Sequence, residues 1–234
     1  MQLERILQSQ GFGSRKECRA MIRHHLVTVN GEACDDPFAE FSTASLHFSV
    51  ADEAWEFQHH ATLVLYKPAG YECSRQPQHH RSVFELIPAP LRNRGVQPIG
   101  RLDADTTGIL LLTDNGQLNH RLSSGKRNIP KVYRVGTRHP LTPESIANLL
   151  AGVQLHDEPA PVRAVAAEQI DSTTLRLTVT EGKYHQVKRM LAATGNRVET
   201  LHREQFAGML LPADLAVGSW RWLSPDELKP LEQQ

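Results

Sequence analysis

The segment with the clearest capacity for chemistry is residues 100–108, which read Gly-Arg-Leu-Asp-Ala-Asp-Thr-Thr-Gly. The apolar run 109–113 that follows is typical of a buried strand. The polar loop before it would present Arg101 and Asp103, a cation and a carboxylate able to act as nucleophile or base. On spacing alone, a surface ion pair beside a Thr-rich turn is the simpler explanation. Asp103 and Asp105 could also bind a divalent metal, but no third ligand stands at a recognisable spacing.

Two later segments also combine reactive and apolar residue types. In residues 131–135, alternation places Lys131, Tyr133 and Val135 on one face of a strand, where a single tyrosine is most often a core residue. Residues 181–190 read Glu-Gly-Lys-Tyr-His-Gln-Val-Lys-Arg-Met. The pattern predicts a helix over 184–193 that buries its apolar face and leaves Lys188 on a polar face, which in most proteins is only solvated.

The N-terminal residues predict two short helices and a hairpin. Ser14 to Glu17 form a capping box that starts the second helix. Basic side chains repeat every four residues on one face of that helix, at Arg15, Arg19 and Arg23. A solvated surface would explain the repeat by itself. Val27-Thr28-Val29 then alternates as a strand, and Asn30-Gly31 favours a hairpin turn.

The remaining elements must carry the three reactive segments. Polar residues 52–61 lack periodicity and indicate a linker, after which 62–67 predict a strand. A short helix over 82–86, a helix over 141–150 starting near Pro143 and a strand over 175–180 follow. Because strands and helices do not alternate as regular βαβ units, we expect an α+β fold with a mixed, largely antiparallel sheet. The predicted domains are residues 1–58 and 59–234.

Charge and cysteine content narrow the class of protein. The 234 residues hold 26 Lys and Arg and 26 Asp and Glu, a balance that argues against a general polyanion binder. The charge is uneven, however: residues 1–30 hold five bases and two acids, and residues 31–58 hold seven acids and no Lys or Arg. Further basic clusters occur within 126–134 and 183–189. Such local basic patches fit a polyanion site of defined position. Three scattered cysteines suggest neither disulfides nor zinc, and the polar N-terminus does not resemble a signal peptide, so we expect a cytoplasmic protein.

Taken together and in order, these motifs resemble two known families. Residues 1–58, with a capped basic helix followed by Val-x-Val-Asn-Gly, resemble the S4-like RNA-binding domain. Residues 60–225 resemble the RsuA-type pseudouridine synthases, in which Gly100–Asp103 matches the motif around the catalytic aspartate. Lys131-x-Tyr133 matches the motif whose tyrosine stacks on the target base. Lys188 matches the basic partner of the aspartate, and Leu201 matches the apolar residue packed against the base.

The resemblance implies an isomerase that needs no cofactor and no metal, because the conversion of uridine to pseudouridine gains and loses no atoms. Asp103 would be the catalytic carboxylate, acting on the base or on the ribose. Lys188 would keep Asp103 ionised and aimed. Arg101 would stack in the space left by the displaced uridine, and Leu201 would cover the base. Lys131 and the three helix arginines, Arg15, Arg19 and Arg23, complete the expected RNA-binding set.

Short segments refine the expected substrate. Residues 152–156 and 184–188 look closer to the small-subunit 16S enzymes than to their 23S relatives. We therefore expect a monomer that acts on ribosomal RNA, free or in a partly assembled small subunit, with no membrane partner. A 23S enzyme, a non-catalytic ribosome assembly factor and a metal-dependent phosphoryl-transfer enzyme using Asp103 and Asp105 are the alternatives.

Overall fold

The computed structural model describes residues 1–234 and divides them into two compact units. The first comprises Met1–Ala61 and Ile87–Val96, and the second comprises Thr62–Leu86 and Gln97–Gln234. The first unit therefore extends past residue 58 and includes a segment from the middle of the chain. Hydrogen bonds explain the place of that segment: Asn93 Nδ2 donates to Gly11 O, and Arg94 Nη1 donates to Gln58 O.

The first unit packs short helices on a four-stranded antiparallel sheet. Its elements are α1 (Leu3–Ser9), α2 (Arg15–Arg23), β1 (Val27–Val29), β2 (Glu32–Ala33), β3 (His47–Val50), β4 (Glu53–Glu56) and α3 (Ala89–Asn93), with strand order β2-β1-β3-β4. The predicted capping box is confirmed, because the Ser14 hydroxyl accepts from Glu17 N–H and the Glu17 carboxylate accepts from Ser14 N–H. The predicted Asn30-Gly31 turn is also confirmed, with both residues in left-handed conformations between β1 and β2.

The prediction of a linker over residues 52–61 was wrong. Residues 53–56 form β4, which pairs with β3 through a tight turn in which Ala51 and Asp52 both have positive φ. Trp55 lies opposite Phe48 in this pairing, and its ring contacts the Phe12 ring edge-on at 5.2 Å between centroids. Trp55 and Phe57 alternate and pack on the core of the unit, so burial of their rings stabilises β4, whose other residues are two glutamates and an alanine.

The second unit is built on a nine-stranded sheet. Its main strands are β5 (Thr62–Lys67), β9 (Thr107–Thr113), β10 (Lys131–Thr137), β11 (Ala166–Gln169), β12 (Thr174–Val179), β13 (Val198–Phe206) and β15 (Trp220–Trp222), in the order β11-β12-β10-β13-β9-β5-β15. The short strands β8 (Gln97–Pro98) and β14 (Met209–Leu210) pair with β9 and β13. Within this sheet β13 and β9 run parallel and the other pairs are antiparallel, which confirms the expected mixed, largely antiparallel α+β fold.

Helices and one small extra ladder complete the second unit. The helices are α4 (Gly116–Ser123), α5 (Pro143–Ala151), α6 (Gln186–Ala193) and α7 (Pro225–Glu232), with 3₁₀ turns at Val83–Leu86 and Gly125–Arg127. The ladder pairs β6 (Tyr71–Glu72) with β7 (Arg81–Ser82). The predicted helices over 82–86, 141–150 and 184–193 are thus confirmed, the last beginning at Gln186. No helix of the chain has the length and apolar character needed to cross a membrane.

Close approach of β9 and β13 depends on Gly108. This residue has φ +113° and lies level with Lys67 of β5 on one side and Arg203 of β13 on the other. A Cβ atom at position 108 would collide with the backbone of Arg203. Only glycine therefore fits this position, and it brings two buried cations to the start of the strand that follows the Asp103 loop.

Candidate active site

The loop that carries Asp103 is held from below by Lys67. The Lys67 side chain is fully buried, and its Nζ lies 2.8–3.2 Å from four carbonyl oxygens, those of Pro68, Asp103, Ala104 and Thr106, which share its three N–H donors. Burial lowers the pKa of Lys67 to about 8, while the Cys73 thiol and the two loop aspartates act in the opposite direction. Below that pH the ammonium remains charged, so one cation fixes the loop backbone from Asp103 to Thr106.

The Asp103 carboxylate meets a basic partner from α6. Lys188 Nζ lies 3.0 Å from Asp103 Oδ2, and it also donates to both carboxylate oxygens of Asp105 at 2.7 and 2.9 Å. Burial alone would lower the pKa of Lys188, but its bonds to Asp105 and Asp103 outweigh burial and raise it. Burial would likewise raise the pKa of Asp105, and the bond from Lys188 outweighs it, so that pKa is lowered. The two carboxylates therefore share an ammonium.

Tyr184 and His185 stand beside this ion-pair cluster. His185 has φ +46° at the residue before α6, and its Nε2 lies 3.4 Å from Asp103 Oδ1. The Tyr184 ring stacks on the His185 ring with centroids 3.8 Å apart, although Tyr184 itself is 74% exposed. An exposed ring fixed in this way offers a flat surface on which a nucleic-acid base could stack.

The sheet supplies the wall of the cavity opposite these polar groups. Tyr133 in β10 is 8% exposed and pairs directly with Arg203 in β13, while Leu201 pairs with Val135. Directly paired residues project to the same face of a sheet, so Tyr133, Leu201 and Arg203 are neighbours on one face. They line a cavity of about 1110 Å³ together with Arg101, Asp103 and Lys131.

Two cations contribute to this wall, the half-buried Lys131 and the buried Arg203. Lys131 Nζ donates to Ile129 O at 2.8 Å and to Thr180 O at 3.1 Å. Burial, and after it the charge of Arg203, lowers the pKa of Lys131 to about 8. Arg203 Nε donates to Ile109 O at 2.9 Å, and its guanidinium lies 4.9 Å from the centroid of the Phe206 ring.

The structure brings together the site residues predicted in the second unit. Arg101, Asp103, Lys131, Tyr133 and Leu201 line one cavity, and Lys188 contacts Asp103. Asp105 contributes its carboxylate to the same ammonium rather than to a cluster of three potential metal ligands, and no such cluster occurs in the chain.

The three predicted arginines of α2 lie in the first unit and differ in their surroundings. Arg15 and Arg23 are exposed, and Arg15 Nε donates to Gln8 Oε1 at 3.2 Å. Arg19 instead forms an ion pair with the buried Glu4, and its guanidinium lies 5.2 Å from the Phe38 ring centroid. The bond from Arg19 lowers the pKa of Glu4. Arg19 therefore has a structural contact that the other two lack.

Sequence reasoning missed Lys67, Arg203 and the Tyr184–His185 stack. Lys67 had one signal, because a cation ends an otherwise apolar strand just before Pro68. Arg203 alternates in phase with Leu201, which is also a signal that it points inward. Nothing in the sequence indicated that Tyr184 and His185 would stack, since the left-handed conformation of His185 produces that contact.

Two family models match the chain: RNA pseudouridylate synthase over residues 61–193, and the S4 domain over residues 1–37. The ribosomal small subunit pseudouridine synthase A of Escherichia coli strain K12 is 38% identical over 230 residues, which cover 97% of this chain and 98% of that protein. An uncharacterized RNA pseudouridine synthase of Bacillus subtilis is 34% identical, with 100% and 99% of the two chains covered. A crystal structure of a pseudouridylate synthase superposes with a TM-score of 0.70 at 32% identity, covering 99% of each chain.

Proposed function

Because this chain belongs to the RNA pseudouridylate synthase family, we propose that it isomerises a specific uridine of the small-subunit 16S ribosomal RNA to pseudouridine, with Asp103 as the catalytic carboxylate. The observation that carries the proposal is the Asp103 carboxylate, which lines the cavity beside Tyr133 and lies 3.0 Å from Lys188. The chain is an enzyme of the isomerase class.

The choice of small-subunit RNA rests on two kinds of likeness. Relatives named ribosomal small subunit pseudouridine synthase A align with 97% of this chain, at 38% identity for Escherichia coli strain K12 and 35% for Yersinia pestis. Residues 152–156 and 184–188 are also similar to the small-subunit enzymes, and the second segment contains both Lys188 and the exposed Tyr184 ring.

The reaction begins with removal of the target uridine from its stack, which costs a few kcal/mol. Arg101 is exposed at the cavity, where its guanidinium can stack on the neighbouring bases and fill the space that the uridine leaves. The Tyr184–His185 stack beside Asp103 offers a second surface for a flanking base. Both contacts offset the cost of unstacking.

Asp103 then acts on the base or on the ribose. Its position is set by the Lys67 bonds to the loop carbonyls, and its charge is compensated by Lys188. A carboxylate that is already aimed loses little entropy on reaching the transition state. The detached uracil must turn without leaving the site, and we assign that restraint to the ring of Tyr133 and the side chain of Leu201 on the adjacent strand.

The first unit would anchor the RNA. Its exposed Arg15 and Arg23 can contact phosphates, whereas Arg19 is engaged by Glu4. We propose that the protein works in the cytoplasm as a monomer, on rRNA or a partly assembled small subunit. Lys131 and Leu201 remain proposed contacts of this substrate, whereas Arg19 is assigned mainly to its ion pair with Glu4.

The test is pseudouridine formation by the purified protein on 16S rRNA, 23S rRNA and partly assembled small subunits, mapped at nucleotide resolution. We expect one site in the small-subunit RNA and none in 23S rRNA. Asp103→Asn should abolish turnover while RNA affinity and thermal stability stay near wild type, and Asp35→Asn, an exposed carboxylate of the first unit, serves as the control. Substantial turnover by Asp103→Asn would refute the catalytic assignment, and modification of 23S rRNA instead would refute the substrate assignment.

A further inference from the structure

Arg203 carries a donor that the protein does not use. The residue is 1% exposed, its Nε is bonded to Ile109 O, and its Nη2 is buried with no hydrogen-bond partner in the protein. Leaving a charged donor buried without a partner is costly, and native structures rarely do so without a functional reason. The reason should be sought where Arg203 borders the cavity.

Arg203 forms no ion pair with a carboxylate of the protein. The carboxylates of Asp103 and Asp105 are shared by Lys188, and along the sheet Arg203 is repelled by two other cations, the buried Lys67 and the half-buried Lys131. The cavity wall next to Tyr133 is therefore positive and largely removed from water. Such a wall favours a ligand with hydrogen-bond acceptors and developing negative charge.

We propose that Arg203 donates a hydrogen bond from Nη2 to a carbonyl oxygen of the target uracil. The inference rests on the proposed function, since it names the base that enters the cavity. Uracil presents two exocyclic oxygens, O2 and O4, and both are acceptors. When the bond between N1 and C1′ breaks, its electron pair stays on the base and spreads over both oxygens. A bond to a guanidinium then strengthens, so it stabilises the transition state more than the bound substrate.

Arg203 is held firmly enough for this role. Gly108 lets β13 approach β9, the bond to Ile109 O fixes Nε, and the Phe206 ring lies against the guanidinium. Tyr133 is its direct partner on β10, so a base that stacks on the Tyr133 ring lies next to the guanidinium. A contact to O4 would also reject cytidine, which has an amino donor at that position.

The experiment compares three RNA substrates with uridine, 2-thiouridine or 4-thiouridine at the target position, because sulfur accepts hydrogen bonds more weakly than oxygen. Rate constants are measured under single-turnover conditions for wild type, Arg203→Met and Arg203→Lys. Arg134→Met is the matched control, since Arg134 projects from the opposite face of the same strand pair and contacts Glu204. RNA dissociation constants and thermal unfolding are recorded for every variant.

We expect one thio substitution to slow the wild-type protein by about 10- to 100-fold, the loss typical of a charged hydrogen bond. Arg203→Met should be slowed to a similar extent with uridine, and the same thio substitution should then have almost no further effect. Arg203→Lys should recover part of the rate, and Arg134→Met should keep the wild-type thio effect. The position of the thio substitution that slows the wild-type protein, 2 or 4, identifies the oxygen that Arg203 contacts.

An equal thio effect in wild type and Arg203→Met would overturn the inference and indicate that water alone satisfies Nη2. If Arg203→Met does not fold, the comparison is made with Arg203→Lys. The wild-type protein alone is also decisive in one direction, because equal rates on all three RNAs would exclude a bond to either oxygen. Failure of the wild type on the uridine substrate would instead refute the proposed function, so the two failures are distinguishable.

Discussion

Replacement of Lys67 by Met tests whether one buried cation organises the Asp103 loop. Methionine matches the length of the aliphatic stem but leaves the carbonyl oxygens of Pro68, Asp103, Ala104 and Thr106 without their shared donor. The loop should loosen, and a displacement of about 1 Å at a catalytic group can lower the rate about 100-fold. We expect such a loss in single-turnover rate with RNA affinity nearly unchanged.

The magnitude on stability follows from the pKa of Lys67, which burial lowers from 10.5 to about 8. A depressed lysine pKa means that the unfolded chain binds the proton more tightly, so stability rises with pH between about 8 and 10.5. For a single group shifted to this extent, the free energy of unfolding should rise by about 2 kcal/mol from pH 7.5 to pH 10. Lys67→Met should lack this rise.

The assay is guanidinium unfolding of wild type and Lys67→Met at several pH values, with Lys229→Met as an exposed lysine control. Contributions from other groups cancel in the difference between wild type and variant, except for Cys73, whose pKa is raised by burial and lowered by the charge of Lys67. The comparison is therefore repeated in a Cys73→Ala background. Parallel pH dependences for wild type and Lys67→Met would show that Lys67 is not held as a buried cation, and the proposed support of the Asp103 loop would be refuted.

Three further groups of substitutions probe Tyr133, the ion pairs of Lys188 and the arginines of α2. Tyr133→Leu should lower the single-turnover rate about 100-fold or more while costing only about 1–2 kcal/mol of stability. Tyr133→Phe should keep RNA affinity. Near-normal activity of Tyr133→Leu would show that Tyr133 is only a core residue. Lys188→Met should raise the pKa of Asp105, which NMR titration can follow, and should reduce the rate at neutral pH. Asp105→Asn keeps the 3.0 Å pair between Lys188 and Asp103, so this variant should retain most activity. If Asp105→Asn is as inactive as Asp103→Asn, both carboxylates are required. The double variant Arg15→Gln with Arg23→Gln should weaken RNA binding and reduce the slope of log K against log salt by about 0.7–0.9 per lost contact. Arg19→Gln should mainly lower stability. Identical salt slopes for the wild type, the double variant and Arg19→Gln would contradict the anchoring role.

Local chemistry in the sequence was sufficient for several elements. The Ser14–Glu17 capping box, the Asn30-Gly31 turn and the Pro143 helix start each act over two to four residues, so their signals survive in any fold that contains them. β4 was missed for a related reason. Its ring contact between Trp55 and Phe12 joins residues distant in the chain, and Trp55 is the one large apolar side chain within the strand.

The placement of residues 87–96 could not be predicted in the same way. Their hydrogen bonds go to Gly11, Gln10 and Gln58, which no local pattern connects to them. This placement also bears on how the RNA-anchoring role is tested. Deletion of residues 1–58 would remove the partners of Asn93 and Arg94, so substitution of exposed arginines is the cleaner experiment.

Within the site, the motifs along the sequence indicated the candidate residues, but the order of the strands in the sheet decides which of these residues are in contact. β9 lies between β5 and β13, although β13 begins long after β9 ends in the chain. This arrangement places Lys67 and Arg203 on either side of Gly108, and neither pairing can be derived from alternation alone. The sequence indicates only that both cations lie in the interior, Lys67 at the end of an apolar strand and Arg203 in phase with Leu201, and there a charge must find a partner. Lys67 finds it in the carbonyl oxygens of the Asp103 loop. Arg203 bonds Ile109 O through Nε, and its Nη2 is left for the base that we propose the cavity receives.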